Sequence, residues 1–208
     1  MKIAICGGTF DPFHRGHLDP ILAVRDELQW SVILYVPAWR QPFKADTKSS
    51  SGYHRFAMAV LATHRIDDVF VSPRELDRGA ISYTVETLEE LRREHPDATL
   101  DWIIGDDNVA ELGSWKNIDR IFELANFVVL TRHQRVGDAG IPLVMKRVTT
   151  AEKRGRNGGI VFASNVEVPV SATEIRRRVR AGEAIMDLVD PLVARYIQHN
   201  RLYQEVQT

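Results

Sequence analysis

Lys2-Ile3-Ala4-Ile5-Cys6-Gly7-Gly8-Thr9-Phe10-Asp11-Pro12-Phe13-His14-Arg15-Gly16-His17 is the stretch that decides how the rest of the chain is read. Its opening residues are an apolar run of strand length, and two glycines stop it. Leu18, Ile21, Leu22, Val24 and Leu28 then recur at helical spacing. Strand, glycine turn and helix in that order open a parallel α/β unit. Gly7 and Gly8 permit positive φ and a close approach of backbone to ligand. The helix that follows turns N–H groups and the positive end of its dipole toward the turn, where a phosphate would sit. The loop matches neither Gly-x-Gly-x-x-Gly nor a Walker loop, since no Gly-Lys-Ser/Thr follows, which disfavours a dinucleotide cofactor and a P-loop ATPase.

His14 and His17 are three residues apart, so on a first helical turn they share a face and can donate to one phosphate group. A helix N-terminus disfavours a charged imidazole, but a neutral ring still donates through one nitrogen. One such histidine alone reads equally as a helix cap or a surface residue. The pair inside a glycine-rich turn favours anion binding. Metal ligation is the weaker alternative, because no third His, Cys or carboxylate stands at a zinc spacing.

Outward from this loop, further apolar strands are expected at 31–36, Val69–Val71, 100–104, 127–131 and 160–163. Helices are expected at 53–63, 85–95, Ile118–Leu124, Ala172–Arg180 and Pro191–His199. Strands that are apolar throughout and alternate with helices predict an α/β fold, a doubly wound and mainly parallel sheet with helices on both faces. Crossovers are expected to be right-handed. Ligands in such sheets bind beyond the C-terminal strand ends, where the 7–17 loop lies.

The 208 residues are 44% hydrophobic and 26% charged, which is globular composition and fits a single domain over 1–208. Within it, 133–159 reads as a variable surface region and 170–208 as a C-terminal helical segment. A net charge of -1 leaves no global footprint for nucleic acid or an anionic membrane. One cysteine, Cys6, has no partner for an internal disulfide and sits where a small hydrophobe belongs. No apolar run approaches the roughly 20 residues that span a bilayer, and no signal-type stretch opens the chain. The expectation is a cytoplasmic protein.

Val170-Ser171-Ala172-Thr173-Glu174-Ile175-Arg176-Arg177-Arg178 reads as a helix start, with Ser171 as N-cap and Glu174 completing a capping box. Such a start is also an anion site, with Arg176 on its first turn. A capped surface helix with solvated arginines is the plain alternative. Three more segments carry chemistry. Ile81-Ser82-Tyr83-Thr84-Val85-Glu86-Thr87-Leu88 opens a helix whose hydroxyls and N–H groups suit a carboxylate, or is simply a cap. Asp107, in Gly105-Asp106-Asp107, follows a strand at the ligand end of the sheet, where a carboxylate accepts from ribose hydroxyls or merely ends a turn. Trp115 offers an indole for stacking on a flat ring, or a core side chain.

The 7–17 loop resembles the signature of the HxGH nucleotidyltransferases. That resemblance implies a Rossmann-like fold, ATP with Mg2+, and release of pyrophosphate. It implies that Gly7, Gly8, Thr9 and Phe10 meet the nucleotide and that His14 and His17 hold the triphosphate. Ser171, Thr173 and Arg176 match the family's Ser-(Ser/Thr)-Thr-x-Ile-Arg motif, which binds ATP phosphates, while Ala172 departs from it. Ser82-Tyr83-Thr84, Gly105-x-Asp107, Trp115 and the ending over 188–203 resemble one branch, the bacterial nicotinate mononucleotide adenylyltransferases. That branch implies transfer of AMP from ATP to nicotinate mononucleotide, with Thr84 at the nicotinate carboxylate, Trp115 stacked on the pyridine and Asp107 on a nucleotide ribose.

The chain departs from the branch after its second strand. Arg40-Gln41-Pro42-Phe43-Lys44 stands where Pro-Pro-His-Lys is usual. Lys44 and Arg40 keep positive charge for an acceptor phosphate, but Phe43 cannot hydrogen-bond. Arg55 is a further match to a phosphate contact. Nicotinamide mononucleotide, pantetheine phosphate and a non-catalytic nucleotide-binding regulatory module stay open as alternatives, as does a homo-oligomer.

Overall fold

The computed structural model describes residues 1–42, 49–130, 158–163 and 168–204, together with the backbone of 146–147. Seven strands form one sheet in the order β3-β2-β1-β4-β5-β7-β6. They are β1 (Lys2–Gly8), β2 (Val32–Pro37), β3 (Val69–Val71), β4 (Thr99–Gly105), β5 (Asn126–Leu130), β6 (Lys146–Arg147) and β7 (Gly159–Ala163). Every pairing is parallel. The chain runs outward from β1 to β2 and β3, then returns to place β4 on the other side of β1. The order therefore reverses between β1 and β4. This switch point opens a crevice at the carboxyl ends of both strands, beyond Gly8 and Gly105.

Side chains alternate across the strands and split the core in two. Ala4, Ile33, Tyr35, Ile103, Val128 and Val161 point to one face. Helices α1 (Arg15–Ala23), α2 (Arg25–Leu28), α3 (Gly52–Thr63), α7 (Ala172–Arg180) and α8 (Pro191–His199) supply apolar residues to that face. Ile3, Ile5, Leu100, Trp102, Ile104 and Val129 point to the other. There α5 (Thr84–Glu94), α6 (Ile118–Leu124) and a 3-10 helix over Asp106–Ser114 cover them. Buried on both sides, the strands are apolar on both faces, which is why they read as nearly continuous runs. Among the described residues no helix is long and apolar enough to cross a membrane.

Three local features differ from the expectation. The helix expected over 18–28 is two pieces, because Val24 leaves helical geometry at φ -106 and ψ 2. That bend keeps Ile21, Val24 and Leu28 all buried. A short α4 (Arg74–Arg78), closed by Gly79 in the left-handed region, precedes the 81–88 segment. Residues 106–114, for which no element was expected, form a 3-10 helix. Of the 133–159 region, 133–145 and 148–157 lie outside the described residues.

Neither Gly7 nor Gly8 is among the positive-φ residues, which corrects the expected reason for them. Space is what requires them. A Cβ on Gly7 would lie 2.7 Å from the Trp102 ring, and one on Gly8 would lie 2.8 Å from the Phe10 ring. Both neighbours are buried aromatics. Gly7→Ala is expected to destabilise the protein by about 1–3 kcal/mol, the usual cost of overpacking, measured by chemical denaturation.

One buried polar network stitches the sheet away from the crevice. Asp101, fully buried on β4, accepts from Trp30 Nε1 at 2.7 Å and from Asn126 Nδ2 at 3.0 Å. Asn126 Oδ1 accepts in turn from the Gly159 N–H, so β4, β5 and β7 are tied by side chains as well as by their ladders.

Candidate active site

The crevice at the switch point is a cavity of about 1090 Å³. That slightly exceeds the usual range of about 300–1,000 Å³ for small-molecule pockets. Most of its lining comes from the loop after β1, the 82–84 helix start, the stretch from β4 through Lys116, and the start of α7, with the chain after β2 and Glu75 adding to it.

The loop after β1 is shaped by an aromatic nest. Phe10 takes a left-handed φ of 55 and folds its ring back over Gly8. The ring meets Phe13, His17 and Tyr35 at centroid distances of 5.4, 5.0 and 5.8 Å. A non-glycine residue in this region carries strain of about 1–3 kcal/mol, which the packing overcomes. Gly7, Gly8, Thr9 and Phe10 all line the cavity, although only 3% of Phe10 is exposed.

His14 is the N-cap of α1 and His17 its third residue. Their rings stack at 3.7 Å and 22°, and both line the cavity. The His14 backbone N–H donates to His17 Nδ1 at 3.2 Å. A neutral imidazole that accepts at Nδ1 carries its proton on Nε2, so the His17 ring is left as a donor on its far side. Tyr35, buried on β2, donates its hydroxyl to the His17 carbonyl at 3.0 Å and steadies the turn from beneath. Burial pushes that hydroxyl well up, so it stays a neutral donor.

Ser171, Ala172, Thr173 and Arg176 line the opposite wall. Half of the expected capping box forms: Ser171 Oγ accepts from the Glu174 N–H at 3.2 Å. The Glu174 carboxylate instead takes Arg177 at 2.9 Å and Arg178 at 3.0 Å. Hydrogen bonds from Arg177, then Arg178, hold it down to about 2. Glu183 and Asp187 also engage these two arginines, so their charge is compensated along the helix. Arg176 is directed elsewhere: its Nη1 donates to the Asp11 carbonyl at 2.6 Å, and its Nη2 to Thr173 Oγ1 at 3.4 Å.

On a further part of the lining, Tyr83 is the N-cap of α5 and Thr84 its first residue, and both line the cavity. Ser82 Oγ accepts from the Trp39 N–H at 3.0 Å and pins this turn to the segment after β2. Asp107 is exposed in the first turn of the 3-10 helix, and Trp115 ends that helix; both face the same cavity. Trp115 rests edge-on against Phe127 at 5.8 Å. Lys44 and Phe43 lie outside the described residues, so the expectation for Lys44 has no geometry here.

Arg55 is a correction. Read as a phosphate contact, it is 1% exposed and does not line the cavity. Its guanidinium donates to the carbonyls of Ser50, Thr9, Ala38 and Trp39 at 3.0, 2.6, 2.7 and 3.3 Å. It is an internal strut between the 7–17 loop and the chain after β2. Burial lowers its pKa, and Asp11 opposes that shift.

Two groups escaped the sequence reading. Glu75, on α4, is 3% exposed yet reaches the cavity lining. It accepts from Thr87 Oγ1 at 2.5 Å, and burial pushes its carboxyl up against the hydrogen bonds from Thr87 and Ser82. Asp11, inside the loop motif itself, is 7% exposed and accepts from the Ser50 N–H at 3.0 Å and the Tyr203 hydroxyl at 2.6 Å. The only local signal for Asp11 was its place in the motif. Nothing local signalled Glu75, because a carboxylate among charged helix neighbours reads as solvated.

A cytidylyltransferase-like family model matches residues 5–178. A "Probable nicotinate-nucleotide adenylyltransferase" of Gemmatimonas aurantiaca is 36% identical over 99% of this chain and 93% of its own length. One of the same name from Salinispora arenicola is 37% identical over 96% of this chain and 100% of its own. The solved nicotinic acid mononucleotide adenylyltransferase of Plasmodium falciparum, complexed with NaAD, superposes with a TM-score of 0.71. It covers 97% of each chain at 20% identity, which shows the shared fold. The same enzyme complexed with APC gives 0.71 as well, at 18% identity. With the loop, the helix start and full-length kinship in agreement, the chain belongs to the cytidylyltransferase-like nucleotidyltransferases and, among them, to the nicotinate-nucleotide adenylyltransferase family.

Proposed function

We propose that this cavity transfers the AMP part of ATP to nicotinate mononucleotide, giving deamido-NAD and pyrophosphate. The observation that carries the reading is convergence: both imidazoles, Arg176, Thr84 and Trp115 line one space at the switch point. The acceptor's 5′-phosphate oxygen attacks the α-phosphorus in line, and the bond from the α-phosphorus to the α–β bridging oxygen breaks as that oxygen leaves on pyrophosphate. A phosphate nucleophile is already anionic at neutral pH and needs no base. Catalysis then rests on alignment and on neutralising charge as it builds on the leaving group.

In this reading His14 and His17 meet the triphosphate from one side, and Ser171, Thr173 and Arg176 from the other. The backbone of Gly7, Gly8, Thr9 and Phe10 lies against the nucleotide, and Asp107 accepts from its ribose hydroxyls. Thr84 binds the acceptor carboxylate, Trp115 stacks on the pyridine ring, and Lys44 meets the acceptor phosphate. Of the carboxylates in the lining, Asp11, Glu75 and Glu174 are already engaged by protein donors. A hydrated Mg2+ that arrives on the triphosphate, keeping phosphate oxygens and water as ligands, fits such a lining. When bound it would neutralise part of the phosphate charge.

A pyrophosphate-release assay with ATP and each of nicotinate mononucleotide, nicotinamide mononucleotide and phosphopantetheine tests this. The first acceptor is expected to give the highest kcat/KM. Turnover confined to another acceptor would refute the substrate assignment, and ATP binding without release from any would make the protein a nucleotide-binding module. Trp115→Ala is expected to raise KM for the mononucleotide about 10-fold, since a ring stack contributes about 1–3 kcal/mol. The KM for ATP should stay put, and a change confined to ATP would contradict the stacking role.

A further inference from the structure

Asp11 joins three segments that are remote in sequence. Its backbone carbonyl accepts from Arg176 Nη1 at 2.6 Å on α7. One carboxylate oxygen accepts from the Ser50 N–H at 3.0 Å, just before α3. The other accepts from the Tyr203 hydroxyl at 2.6 Å, across 192 positions of chain. Asp11 is buried at 7% exposure, and the Leu202 and Tyr203 side chains pack on the core cluster of that face. A short O–H···O⁻ bond between two such groups is of the strong, charge-assisted kind. Burial, and then the Asp11 charge, push the Tyr203 hydroxyl up, so it remains a donor throughout the neutral range.

Neither Tyr203 nor the Asp11 carboxylate is needed to complete the core. A phenylalanine would pack as well as Tyr203, and setting a hydroxyl against a buried carboxylate carries a desolvation cost. What the bond does hold is the orientation of Asp11. That residue sits three positions before His14, and its carbonyl carries the guanidinium of Arg176. We infer that Tyr203 is a positioning residue for adenylyl transfer: through Asp11 its hydroxyl keeps the histidine-bearing loop and Arg176 in register with the bound triphosphate. The inference rests on the adenylyl-transfer reading above. Misplacement of a site by about 1 Å is enough to slow a reaction about 10²-fold, so loss of one anchor among three should cost a fraction of that.

Tyr203→Phe removes the hydroxyl and keeps the ring. In the pyrophosphate-release assay it is expected to lower kcat/KM for ATP about 10-fold while KM for nicotinate mononucleotide holds. Asp11→Asn leaves one oxygen for the Ser50 and Tyr203 donors and should lower the same constant at least as far, and the double variant should lose less than the sum of the singles, because both weaken the Tyr203 contact. A role confined to folding would shift the thermal midpoint and leave these constants of the folded protein unmoved. Wild-type kinetics in folded Tyr203→Phe, or additive losses in the double variant, would overturn the inference. If wild-type protein releases no pyrophosphate with any acceptor, the adenylyl-transfer reading fails instead. Calorimetric ATP affinity then decides the strut separately: a loss of about 10-fold in Tyr203→Phe upholds it, and unchanged affinity removes it.

Discussion

His17→Ala is expected to lower kcat by about 10²-fold or more in a folded protein, the usual loss when one charge-stabilising donor is removed. Two effects act together. The Nε2 proton is fixed by the bond that Nδ1 accepts from the His14 N–H, so the ring is a donor with a set direction. The same substitution also strips the stacked neighbour from His14, whose ring lies 3.7 Å away. If the imidazole acts mainly as charge builds on the leaving pyrophosphate, kcat and kcat/KM fall together while KM for ATP changes little. Steady-state pyrophosphate release, with circular dichroism to confirm folding, reads this directly. Turnover within a few-fold of wild type would remove His17 from the chemistry.

The second large effect concerns stability. Arg55→Met keeps much of the volume and removes the guanidinium that four carbonyls share. Those carbonyls belong to the 7–17 loop and to the chain on either side of 43–48, and the arginine itself is 1% exposed. Removing one side of a buried charged network typically costs about 3–5 kcal/mol. At about 2–4 °C per kcal/mol for a chain of this size, the thermal midpoint should fall by about 6–20 °C. A midpoint within about 2 °C of wild type, with a raised KM for a substrate instead, would restore Arg55 to the phosphate contacts and sink the strut assignment.

The sheet was legible because its signal is local. Ile3, Ile5, Leu100 and Trp102 face one core and Ala4, Ile33 and Ile103 the other, so each strand shows as an unbroken apolar run. The 7–17 loop was legible for a similar reason. Glycines forced by the Trp102 and Phe10 rings, and two histidines one helical turn apart, leave a pattern readable without knowing what they touch. The reason for the glycines was misread all the same. They looked like a demand for positive φ, whereas Phe10 takes the positive φ and the glycines make room for rings.

Long polar side chains were the least legible. Arg55, Arg176 and Arg177 look alike in sequence, yet one is an interior strut, one lines the cavity on an Asp11 carbonyl, and one is paired to Glu174 and Glu183. The sequence by itself determined the parallel sheet, the helix starts and the glycine-histidine loop between the first strand and helix, because periodicity and turn chemistry act over a few residues. Only the tertiary structure decided which charges meet, that Tyr203 ends on Asp11, and that Glu75 reaches the cavity. The reason is desolvation: a polar group's partner is chosen by whichever distant segment is buried against it, and that depends on how the whole chain packs.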